Sequence, residues 1–153
     1  MRLYHSETFD ISFIEAQNLL HLQCQGDVSS DVSSEECKAG FLLAVQNARK
    51  NQVKNWLLDF RLVEQITDET LSWIQVQVFP QLMAYLGPAN YLALVVSEPL
   101  YQAMLNEYGY AGLQTYNSFI ILNIFTAPET AVAWLQACTA VSSEPQEPMP
   151  SVK

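Results

Sequence analysis

Asp59 and Arg61 are the residues best placed for chemistry, opposite charges two positions apart at the end of the apolar run Trp56-Leu57-Leu58-Asp59-Phe60. Side chains two apart in an extended segment project to the same side. The carboxyl ends of parallel strands border the crevices where open α/β folds bind ligands. The pair therefore reads either as an internal brace or as a recognition site for an anion or a partner loop. Just downstream, Thr67 can cap a helix, with Asp68 and Glu69 complementing the positive dipole end in its first turn. Glu64, Asp68 and Glu69 add negative charge, so a partner meeting this surface should be basic.

Catalytic sets are missing. No Gly-x-Ser-x-Gly elbow occurs, and only His5 and His21 are present as histidine bases. The five glycines, Gly26, Gly40, Gly87, Gly109 and Gly112, form neither a dinucleotide fingerprint nor a phosphate loop. A two-histidine metal site would need strand pairing to bring His5 near His21. Cys24, Cys37 and Cys138 are odd in number and have no CxxC spacing, which favours reduced, buried thiols over disulfides or structural zinc. The expectation is no catalytic residue, no metal and no cofactor.

The elements that must carry these residues follow from hydrophobic period. Phe9, Ile11 and Phe13 alternate with polar residues, as do Leu20, Leu22 and Cys24, and the two runs read as an antiparallel hairpin. Ser33 and Glu36 stand in capping-box relation ahead of Cys37, Phe41, Ala44, Val45 and Ala48, which predicts an amphipathic helix over 34–51. Trp56 to Phe60, Tyr91 to Val96 and Ser118 to Phe125 are short apolar runs suited to strands covered on both faces. Helices are expected from Thr67 to Leu86, from Ser97-Glu98-Pro99 to about Gly109, and after Thr126-Ala127-Pro128-Glu129. The order β-β-α-β-α-β-α-β-α implies an α/β fold with a mostly parallel central sheet and an N-terminal antiparallel hairpin. One domain over 1–141 should carry it, followed by a disordered tail over 142–153 that contains Pro145, Pro148 and Pro150.

The helix from Asp68 to Leu86 is apolar over more than one face. Leu71, Ile74, Val78 and Leu82 mark one stripe, and Trp73, Val76, Phe79 and Met83 mark another. Packing on a sheet needs an apolar arc of about 100°. Either the helix is buried deep within the monomer, or the surplus covers a second core, a subunit interface or an apolar ligand. Trp73 and Phe79 are then candidate anchors of a homodimer. Pro80 removes one backbone bond inside this helix, so a kink is predicted there.

Composition narrows the partner classes. The 153 residues carry a formal charge of -9, and only seven are Lys or Arg. None lies between Leu62 and Val152, which argues against nucleic acid and against a polybasic membrane patch. No apolar run is long enough to span a bilayer, and the N-terminus lacks a signal-peptide core. A cytoplasmic location without membrane insertion is expected.

This order, read with Leu57-Leu58-Asp59-Phe60-Arg61 and Ile66-Thr67-Asp68-Glu69, resembles the STAS domain family, and more closely its SpoIIAA-like group. Phe79-Pro80 in the long helix and Glu129-Thr130-Ala131-Val132-Ala133-Trp134-Leu135 near the C-terminus add to the likeness, which spans about Leu3 to Ala140. The resemblance implies a non-enzymatic regulatory or scaffold module that binds a protein partner, as a homodimer. Its alternative is a small carrier holding an apolar, lipid-like ligand between helices and sheet, since SpoIIAA-like domains resemble lipid-binding SEC14 domains in topology. In phospho-regulated members a serine opens the helix after this strand. Here Asp68 holds that position, with Thr67 before it and Thr70 two residues on, so any phosphate would have to fall on a threonine.

Overall fold

The structure is a computed structural model that describes residues 2–5, 9–24, 35–62, 73–112, 115–116 and 119–143. Seven strands form one sheet: β1 (Arg2–His5), β2 (Phe9–Ile14), β3 (Leu19–Cys24), β4 (Asn55–Phe60), β5 (Asn90–Val96), β6 (Thr115–Tyr116) and β7 (Ile120–Phe125). Their spatial order is β1-β2-β3-β4-β5-β7-β6. The β2–β3 hairpin is antiparallel, and β3, β4, β5 and β7 run parallel. The expected α/β class, with an N-terminal hairpin feeding a parallel sheet, is what forms, and the hairpin extends that sheet. Two edge strands are additions to the expected order. β1 and β6 are only 4 and 2 residues long, and β1 has a register shift between Arg2 and Tyr4, so neither shows a clean alternation in sequence.

The helices are α1 (Glu35–Asn51), α2 (Phe79–Leu86), α3 (Glu98–Gly112) and α4 (Pro128–Ser143). Ser97 caps α3 by accepting a bond from the Leu100 N–H at 3.3 Å. Its regular turns break at Gly109, whose φ of 79° suits glycine. The last helix continues to Ser143, past the expected end of the folded region. Ser33 and residues 144–153 lie outside the described residues.

Right-handed connections that step in one direction across a sheet leave all their helices on one face. That is the arrangement here: α1, α2 and α3 pack on the face formed by Trp56, Leu58, Phe60, Leu92, Leu94 and Val96. The opposite face receives α4, whose Ala131 and Leu135 seat on Leu19, Leu57, Ala93 and Val95. β4 is buried along its whole length because both faces are covered there, which is why it reads as a continuous apolar run.

The wide helix has a specific geometry. Ile74–Val78 forms a π-helical turn that leads directly into α2, and the Phe79 N–H donates to the Ile74 carbonyl five residues back. Pro80 has no N–H and would clash with a carbonyl one regular turn earlier, so a widened turn beside it relieves that contact. One extra residue in a turn rotates the remainder of the helix by about 100°. Trp73 and Ile74 before the turn, and Val78, Phe79, Leu82 and Leu86 after it, all meet the same core. Trp73 stacks edge-on to Phe41, centroids 6.1 Å apart.

Candidate functional site

Asp59 occupies the penultimate position of β4, on the α4 side of the sheet, and its side chain is only 6% exposed. Arg61 follows the strand's last residue and folds back on it. Its Nε donates to Asp59 Oδ1 at 2.9 Å, its Nη2 to Oδ2 at 2.8 Å, and its backbone N–H to Oδ1 at 3.2 Å. This is a bidentate clamp that orients the guanidinium, yet the Arg61 side chain remains 45% exposed. The hydrogen bond to Asp59 chiefly holds the guanidinium more firmly protonated than usual, with desolvation opposing it and the Asp59 and Glu129 charges adding to it. Glu129 sits in the first turn of α4, which therefore faces the same end of the sheet.

The strand register extends the site sideways. Asp59 pairs with Gln23 of β3, Gln23 with Asp10 of β2, and Asp10 with His5 of β1. His5 Nδ1 lies 3.9 Å from Asp10 Oδ2. One rung along, Ser12 pairs with His21 and His21 with Leu57. His21 is thus diagonal to both Asp10 and Asp59. Its Nε2 is buried without a hydrogen-bond partner among the described residues. Burial pushes its pKa below the usual histidine range, the Asp59 and Asp10 charges oppose that, and Arg61 reinforces it.

The sequence places His21 on the polar face of a strand but not beside Asp59. Only the pairing of three separate strands creates that neighbourhood, so no local signal could have revealed it. His5 and His21 are not brought together, because β2 lies between their strands. Thr67 and Asp68 fall outside the described residues. Among the described residues no group of three or more His, Cys, Asp or Glu side chains could hold a metal ion. Cys138 carries a free thiol, and burial raises its pKa.

The apolar candidates separate sharply. Phe79 is 7% exposed and belongs to the chain's own core. Trp73 and Met83 are half-buried against that same core. Val76 alone of the four is open, at 61% exposure. The apolar surplus that suggested a subunit interface or an enclosed ligand is covered mainly within the chain. The physical reason is the π turn, which brings Trp73 and Ile74 before it and Val78, Phe79 and Leu82 after it onto one core while leaving Val76 outside.

A groove of about 280 Å³ beside α4, lined in part by Gln17, Leu19, Asn55 and Val132, lies near the amino ends of β3 and β4, away from Arg61. It is at the small end of ligand sites, which run from about 300 Å³ upward. No helix among the described residues is long and apolar enough to cross a membrane. Comparison with protein-family models, with curated proteins and with solved structures finds no match.

Proposed function

We propose that the chain is a non-enzymatic, STAS-like regulatory or scaffold module that docks a basic segment of a protein partner around Asp59 and Arg61. The supporting observation is the clamp itself: a half-exposed guanidinium held by a buried carboxylate at the carboxyl end of a parallel strand. Two of its N–H groups are committed to Asp59, and the others are available to carbonyl oxygens of a docked loop. Because Asp59 already restrains the side chain, ordering it on binding costs little. Asp10 and Glu129 supply the negative field for the partner's cations.

The test starts from Leu62, which is 50% exposed beside the clamp. A photo-crosslinking residue placed there would capture the partner in cells, and the purified partner would be titrated against the wild type and Arg61→Ala. A loss of affinity of at least about tenfold, together with weakening by salt, is the expected result. Equal affinity in the two proteins, with the variant folded, would overturn the assignment.

A further inference from the structure

Two fully buried side chains on the three-helix face each lack one hydrogen bond. Among the described residues, Trp56 is 0% exposed with no acceptor for its Nε1, and Asn90 is 0% exposed with no donor to its Oδ1. Orphaned polar atoms of this kind are rare in folded proteins, and each costs about 1–3 kcal/mol if left dry. Their chemistry is complementary, because indole nitrogen only donates and the amide oxygen only accepts. Their positions are complementary as well. Trp56 of β4 pairs with Leu92 of β5, and Asn90 stands two residues before Leu92, so both side chains leave the same face as diagonal neighbours.

The Asn90 amide cannot simply turn over. Its Nδ2 donates to the Gly87 carbonyl at 2.8 Å and to the Phe119 carbonyl at 3.0 Å, and a flip would break both bonds. The orphan oxygen is therefore fixed in orientation. We propose that a buried water bridges Trp56 Nε1 and Asn90 Oδ1, accepting from the indole and donating to the amide. Buried waters typically make about three hydrogen bonds to such groups and are costly to remove. Through Asn90 this water ties the β4–β5 seam to Gly87, the residue that ends α2.

A high-resolution crystal structure should show a peak within hydrogen-bond distance of both atoms. In solution, the Trp56 indole proton should give a water contact by rotating-frame Overhauser measurement on protein with labelled tryptophan. Trp56→Phe keeps an aromatic ring and both Asn90 donor bonds, and should remove one long-lived water from the relaxation dispersion of the solvent signal. If that variant does not fold, the wild-type crystal and the indole contact decide the matter. Density placing Trp56 Nε1 directly on a protein acceptor, or an indole proton without a water contact, would overturn the proposal.

Discussion

The two faces of the sheet are built to different ends. One is sealed by three helices around large side chains such as Trp56, Phe60 and Phe41, all at most 1% exposed. Among the described residues the other carries a single helix, and its small apolar cluster of Leu19, Leu57, Ala93 and Val95 gives way to His21, Asp10 and Asp59 toward the N-terminal strands. The difference follows from topology. Crossovers that step one way across a sheet bring every connecting helix to one side, so the far side depends on the segment after the last strand. Stability is concentrated on the first face, and the ionisable residues singled out by type and spacing collect on the second.

The largest expected effect probes which helix residues belong to the sealed face. Phe79→Asp buries a carboxylate among apolar atoms and should destabilise the chain by more than about 4 kcal/mol. Val76→Asp, three residues away and exposed, should stay within about 0.5 kcal/mol by urea denaturation. Similar losses for both would mean that the π turn does not set the orientation described.

A direct comparison of the faces comes next. Phe41, stacked edge-on with both Phe60 and Trp73, should lose about 3–5 kcal/mol on truncation to Ala. Leu135 on α4 borders the open groove, where neighbours can relax, so Leu135→Ala should cost about 2 kcal/mol. A reversed order would place the principal core under α4.

The smallest effect is electrostatic and belongs to the second face. Because folding lowers the His21 pKa, the unfolded chain binds more protons as the pH falls through the ordinary value of 6.5. The contribution of His21 to stability is therefore intact above that value and is lost progressively below it, until the folded state also protonates. His21→Gln should flatten the change in unfolding midpoint between about pH 7.5 and 5.5. An unchanged slope in the variant would show that burial does not govern this histidine.

Local pattern made much of the architecture legible. Alternation in Phe9–Phe13 and Leu20–Cys24 and the apolar runs at Trp56–Phe60 and Tyr91–Val96 correspond closely to observed strands, because side-chain period and burial are properties of a few adjacent residues. The pairing of Asp59 with Arg61 was equally readable, since a spacing of two in a strand places both groups on one side. The short edge strands were not, because 2 to 4 residues carry too little pattern.

The tertiary structure alone decided neighbourhood. Whether Trp73 and Phe79 faced outward depended on how the chain accommodated Pro80, and the π turn resolved it inward. Whether His21 stood near Asp59 depended on the register of β3 against β4, set by long-range packing. Sequence periodicity determines which side of an element is apolar, but not which distant element will lie against it. That choice is made by the whole core at once, because contacts between residues far apart in the chain form only when every layer packs together.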